Sequence, residues 1–239
     1  FNVNPTSASV TKSVATNNYQ SDFSDSSRDS EWTSILGDVI QVPTATCPTS
    51  FGTEQGCMVK SNPQSNNGWA ITTHTLPQES DSNWILQFAT KGLNMNSGQG
   101  GRVFFGAGDT SGSALWIVDG SNGASNDFTV NTQTRGSGWN AGTASATDGS
   151  WQNVGSNQAH YWKIVATGSS WVVNGYTNSD YSSSSISSFP RTITVEDGIT
   201  DLIFPDWGAT NYAGTGHLAD IKLCDGATSS VTECTAWNV

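Results

Sequence analysis

Short runs in which large apolar residues alternate with polar or small ones recur along this chain. The clearest are His160-Tyr161-Trp162-Lys163-Ile164-Val165, Trp171-Val172-Val173-Asn174-Gly175 and Gly216-His217-Leu218-Ala219-Asp220-Ile221-Lys222-Leu223. A period of two marks a strand with one buried face. The same pattern predicts strands at 35–42, 57–59, 69–73, 83–90, 102–107, 114–118, 127–134, 191–195 and 200–204. No stretch keeps the i, i+3, i+4 spacing of an amphipathic helix, so almost no helix is expected. Asn174-Gly175 reads as a tight turn. Residues 135–150, rich in Gly and Ser around Trp139, read as a long exposed loop. About a dozen strands with no internal repeat or boundary predict one all-β sandwich over residues 21–239. Residues 1–20 are polar with scattered valines, and read as an extended leader or as an arm that pairs with the sheet edge of another subunit.

The order of these runs carries a resemblance. An aromatic strand, a short turn, a Val-Asn-Gly strand, a Ser-rich loop and a closing strand with a central Asp follow one another. Upstream, Asp22-Phe23-Ser24-Asp25 leads to Glu31-Trp32-Thr33-Ser34, then to Ser82-Asn83-Trp84-Ile85-Leu86-Gln87-Phe88 and Val103-Phe104-Phe105-Gly106. Over residues 20–226 the chain resembles the laminin G-like and concanavalin A-like lectin jelly rolls, and the layout is shared with uncharacterised archaeal and other microbial surface proteins. The resemblance implies a two-sheet antiparallel jelly-roll sandwich. It also implies a non-enzymatic role in glycan recognition or adhesion at a cell surface, since only a minority of such modules are enzymes. In related modules a structural calcium joins the first strand to the last. Asp22, Asp25 and Asp220 match that pattern, with Asp201 and Asp206 as further candidates.

Composition narrows the partners. Only 12% of residues are charged and the net charge is −11. That balance argues against nucleic acid or an anionic membrane. It disfavours a polyanionic glycan too, unless a cation or a local basic patch intervenes. Ten Trp and nine Phe supply bulk for a core although hydrophobic residues make up only 35%. The cysteines form two close pairs, Cys47/Cys57 and Cys224/Cys234. In a Ser- and Thr-rich chain they predict two local disulfides and a secreted, extracellular protein, with free thiols in a cytosolic protein as the alternative. The spacing is too wide for a zinc site of the C-x2-C kind. The chain starts at Phe1 and shows no signal peptide or membrane span, so it reads as a mature or trimmed form.

Enzymatic signals are sparse. Glu occurs only at 31, 54, 79, 196 and 233, so the alternating carboxylates of a jelly-roll glycoside hydrolase are missing. A polysaccharide lyase needs a Tyr/His pair, but His160 and Tyr161 are neighbours on one strand and diverge. No G-x-S-x-G elbow is present. Glycan binding draws on aromatic faces flanked by amides. Trp139 with Asn140, Trp151, Trp207, and Tyr212 with Asn211 sit in polar loop contexts and are the expected binding residues. Trp84, Trp116 and Trp162 lie on strands and are expected in the core, while Trp32 and Trp171 fit either place. The rival reading is a subunit of an extracellular filament or coat, self-associating through sheet edges or the N-terminal arm. A jelly-roll lyase or hydrolase is a second alternative.

Overall fold

The computed structural model describes residues 17–21, 32–36, 40–41, 58–60, 68–93, 102–109, 113–122, 125–134, 144–145, 152–153, 159–182, 189–195, 198–208, 215–231 and 234. Sixteen strands run through them: β1 (Tyr19–Ser21), β2 (Trp32–Leu36), β3 (Ile40–Gln41), β4 (Met58–Lys60), β5 (Gly68–Thr75), β6 (Asn83–Leu93), β7 (Arg102–Gly108), β8 (Ser113–Asn122), β9 (Ser125–Thr134), β10 (Ala144–Ser145), β11 (Gln152–Asn153), β12 (His160–Thr167), β13 (Ser170–Tyr176), β14 (Arg191–Thr194), β15 (Asp201–Gly208) and β16 (Thr215–Asp225). All pair antiparallel, in two eight-stranded sheets. The first sheet runs β14-β13-β12-β6-β16-β4-β3, with β1 also on β16; the second runs β10-β9-β8-β7-β15-β5-β2, with β11 also on β9. No α-helix occurs among the described residues. The expected all-β jelly-roll sandwich is the fold.

Alternation along the strands builds the core. On β12, Trp162, Ile164 and Ala166 join the inter-sheet cluster; on β6, Trp84, Leu86 and Phe88 do so. The cross-strand pairs Trp162↔Phe88, Ile164↔Leu86 and Ala166↔Trp84 keep these residues on one face. Phe105 and Phe204 meet them from the second sheet, with Phe88 and Phe105 edge to face at 4.7 Å. Trp84, Trp162 and Trp171 are fully buried, as is Trp32 at 2% exposure. The two tryptophans whose place the sequence left open are therefore core residues. Trp162 satisfies its indole N–H by donating to Thr90 Oγ1 at 2.7 Å, as a buried donor must.

Four expectations are corrected. Asn174-Gly175 is not a turn: β13 runs through both residues. Gly175 stands opposite Trp162 in the β12–β13 register. The chain reverses instead at Gly168-Ser169, closed by the Thr167↔Ser170 pair, with Gly168 at φ +57° supplying the left-handed backbone a two-residue hairpin needs. Second, the run at 35–42 is not one strand, since Leu36 ends β2 in the second sheet and Ile40 begins β3 in the first. Gly37-Asp38, poor strand formers, separate the two. Third, short strands β10 and β11 fall in and just beyond the stretch read as loop, each pairing with β9. Fourth, residues 17–20 of the expected leader pack into this chain's own domain. Tyr19 pairs with Leu223, and Asn17 Nδ2 donates to Asp225 Oδ2 at 2.8 Å. Asn18 Oδ1 accepts from Asp225 N at 2.9 Å, so the start of the sandwich is tied to its closing strand.

Candidate functional site

The outer face of the first sheet, turned away from the core, carries the side chains of chemical interest. Odd-numbered residues of β6 and β12 point there, because their even-numbered neighbours fill the core. Register then lays them out in rows. An apolar row, Val172–Val165–Ile85–Cys224, crosses four strands. Ala227, Val231 and Cys234 cover it, held down by the Cys224–Cys234 disulfide. A polar row follows: Asn174–Lys163–Gln87–Lys222–Gln20, one residue from each of β13, β12, β6, β16 and β1. Beyond it lies Tyr176–Tyr161–Ala89–Ala219.

A β-bulge modifies that third row. The β16–β6 register slips between Ala219 and Lys222, so Asp220 and Ile221 share the space of one residue. Ile221 turns into the core. Asp220 takes φ +51°, and its carboxylate meets Lys222 Nζ at 2.8 Å. The segment after β13 brings in Tyr181, whose ring contacts Tyr161 at 6.0 Å and Tyr176 at 5.8 Å, both edge to face. Tyr181 sits at φ +54°. Among the described residues, Asp220 and Tyr181 are the only two non-glycine residues with left-handed backbone, and both belong to this cluster. Such strain persists where the surroundings enforce it, and it concentrates at functional sites.

Electrostatics set what the cluster can do. Burial, and next the Asp220 carboxylate, raise the Tyr161 phenol above its usual value. Burial, Asp220 and Tyr161 together lift Tyr181 well above it. Both phenols therefore keep their protons, unlike a tyrosine poised as a base. The Tyr181 hydroxyl is enclosed and has no hydrogen-bond partner. Tyr176 Oη accepts from Asn174 Nδ2 at 2.7 Å. His217, one row further along opposite Lys91, is pushed down to about 4 by burial and then by the Lys91 charge, so it is neutral at physiological pH. The set offers aromatic edges, amides, one carboxylate and ammonium groups. These are ligand-holding groups, and no pair of carboxylates stands among the described residues of this face.

The residues singled out in the sequence fare differently. Trp139, Asn140, Trp151, Asn211 and Tyr212 lie outside the described residues, as do Cys47, Cys57, Asp22 and Asp25. Trp207 is not in a loop: β15 carries it opposite Trp69 of β5. The strand passes through Pro205 because its pairing with β7 ends at Ile203, so the missing proline N–H costs no ladder bond on that side. Of the calcium candidates, Asp220 is spoken for by Lys222, an ammonium that competes with any cation. Asp201 is buried and accepts from Thr75 Oγ1 and Thr200 Oγ1, each at 2.6 Å. No group of three His, Cys, Asp or Glu side chains able to hold a metal occurs among the described residues. The Cys224–Cys234 bond is present as expected. His160 and Tyr161 do diverge, one to each face of the sheet. His74, by contrast, stacks on Tyr19 at 4.0 Å, a His/Tyr contact that no sequence spacing announces. Both are buried, and Trp32 donates to Tyr19 Oη at 2.6 Å, so this is inter-sheet packing.

The reactive-looking cluster was thus missed, since its members come from four strands and a loop. One signal was readable. The inward residues Leu218, Ile221 and Leu223 are spaced three and then two apart, and that slip in period marks the bulge and singles out Asp220.

No family model matches the chain and no curated protein matches it in sequence. Solved structures do match in shape. A CBM2 module of the evolved Dit of Lactobacillus casei BL23 phage J-1 is 12% identical, covers 88% of this chain and 96% of its own, and superposes with a TM-score of 0.55. The cellulose-induced protein Cip1 is also 12% identical, over 88% of this chain and 99% of its own, with a TM-score of 0.54. The Crh5 transglycosylase, solved with NAG, is 10% identical over 89% of this chain and 86% of its own, at 0.52. At such identities the likeness establishes the fold alone, a two-sheet β-sandwich of the jelly-roll kind.

Proposed function

We propose that this chain is a non-enzymatic, lectin-like module that binds glycans at an extracellular surface, and that it does so on the outer face of its first sheet. The tyrosine cluster carries the reading: Tyr161, Tyr176 and Tyr181 gather around Asp220, with the backbone strained at Tyr181 and Asp220 and nowhere else among the described non-glycine residues. Sugar rings pack their C–H faces on aromatic side chains and hydrogen-bond to flanking amides and carboxylates. Tyr176 and Asn174, both half-buried, supply that combination at the rim of the cluster, with Tyr161, Gln87 and Asp220 buried beside them. The Cys224–Cys234 disulfide and the laminin G-like strand order favour an extracellular setting. One structural neighbour supports the reading by its own description, a CBM2 module.

A glycan array probed with the purified protein, with calcium and with chelator, tests the reading. Binding of defined glycans by a monomer or small oligomer is the expected result. Tyr161→Ala should weaken it by roughly 1–3 kcal/mol, as loss of a central anchor does. Dependence on the loop tryptophan instead, with Trp139→Ala abolishing binding and Tyr161→Ala leaving it intact, would move the site to the loops. A chelator effect would restore calcium as a ligand-site component. Absence of any glycan binding by a protein that polymerises would favour the filament subunit.

A further inference from the structure

An acidic protein gathers bases on this one face. The chain has nine Lys and Arg against twenty Asp and Glu. Three of the nine, Lys91, Lys163 and Lys222, lie on the outer face of the first sheet by their register. Asp220 is the one acidic residue placed there among the described strand residues. Among the described strand residues of this face the balance is positive, three Lys against one Asp with Lys91 itself buried, while the whole molecule is strongly negative. At physiological ionic strength charges more than about 8 Å away are largely screened, so the local lysines govern a ligand on this face.

Their placement is ordered. Lys163 and Lys222 flank Gln87 in direct register, two strand spacings or about 10 Å apart. Each ammonium has three N–H donors. Lys163 Nζ gives one to Ser229 O at 2.9 Å and Lys222 Nζ one to Asp220 Oδ1 at 2.8 Å, so donors remain on both. In the Asp220–Lys222 pair the lysine side chain is 29% exposed and the aspartate 12%, so the cation is the partner offered to a ligand. The tyrosine row lies one i to i+2 step away, about 7 Å, which a lysine stem bridges. Asp180, in the segment beside Tyr181, accepts from Ser182 N at 3.0 Å and so turns back on its own turn.

We infer that the glycan taken by this face is acidic: its ring packs on Tyr176, the half-buried member of the tyrosine row, while carboxylates of a uronic-acid oligosaccharide meet the half-buried Lys222 and Lys163. The inference rests on the glycan reading above and names the ligand class. A neutral sugar would need only an amide such as that of the half-buried Asn174. The lysines have a use when the ligand carries charge, and charge-assisted hydrogen bonds are about twice as strong as neutral ones.

The test is titration calorimetry with a panel of uronate oligosaccharides, each paired with the same oligosaccharide after reduction of its carboxyls to primary alcohols. Poly-L-glutamate serves as a sugar-free polyanion. At least one uronate should bind about tenfold or more tightly than its reduced partner. Lys163→Met should erase that preference while keeping the affinity for the reduced sugar, and Lys222→Met should do the same. Lys163 contacts only a surface carbonyl among the described residues, so its variant stays informative if loss of Lys222 unfolds the protein by stranding Asp220. Equal affinity for the acidic and reduced members overturns the inference and leaves the glycan reading standing. Equal binding of poly-L-glutamate overturns it in favour of charge alone. Binding of no member of the panel overturns the inference, and the glycan array then decides the glycan reading separately.

Discussion

Replacing Asp220 by glycine and by alanine separates strain from contact at the cluster. In an ordinary strand alanine is more stable than glycine by about 0.5–1 kcal/mol. Asp220 is not in an ordinary conformation: its φ of +51° costs an L-residue roughly 1–2 kcal/mol, and glycine is exempt. Both substitutions delete the ion pair to Lys222, which is partly exposed and worth about 1 kcal/mol or less. Asp220→Ala therefore loses the pair and keeps the strain, for a net loss of about 1 kcal/mol. Asp220→Gly loses the pair and sheds the strain, less the extra freedom of its unfolded chain, and should come out near the parent. The glycine variant should exceed the alanine variant by about 0.5–1.5 kcal/mol, a reversal of the strand preference. Urea unfolding of the three proteins, followed by tryptophan fluorescence, gives the difference from midpoints at equal slope. Both variants should bind glycan poorly, so Asp220→Gly couples parental stability to lost function. An alanine variant as stable as the glycine one, or more so, would refute the claim that the bulge holds this residue in the left-handed region.

Three further outcomes follow from the described contacts. Trp162→Ala should cost about 3–5 kcal/mol as a core truncation, and Thr90→Val about 1–3 kcal/mol by stranding the indole N–H; denaturant titration checks both. Replacing Cys224 and Cys234 by serine should cost roughly 2–3 kcal/mol, by the entropy of a short loop, and should expose Ile85 and Val165, seen as added binding of a hydrophobic dye. His217 is held at about 4, below its ordinary 6.5, so the stability it contributes is present above 6.5 and lost as pH falls from there through about 4. The melting temperature should drop across that window, and His217→Gln should flatten the drop.

Much of this fold is legible in the chain, for physical reasons that also explain the failures. Strands such as β12 and β16 send their large aliphatic and indole side chains to the inter-sheet core at alternate positions, apart from the bulge, and a period of two survives in the sequence. The tryptophans on them go inward because the inter-sheet space needs their volume. Asn174-Gly175 shows the limit of local chemistry: β13 runs through both residues, paired along its length with β12, and no local rule sees that partner strand. The strand expected at 200–204 runs on to Gly208 through Pro205, since whether a proline ends a strand depends on which side of the strand is paired. The site was hidden for the same cause. Asn174, Lys163, Gln87 and Lys222 lie far apart in sequence and become neighbours only through register. Exposed loop tryptophans were the natural expectation because loops advertise themselves by composition. A sheet face does not.

Amide chemical-shift mapping with a glycan that the protein binds tests the central claim most directly. The account predicts shifts concentrated at residues 87–91, 161–163, 174–181 and 218–222, the strands and segment that form the outer face of the first sheet. Shifts confined to residues 135–151 and 207–214, with the tyrosine cluster silent, would contradict it.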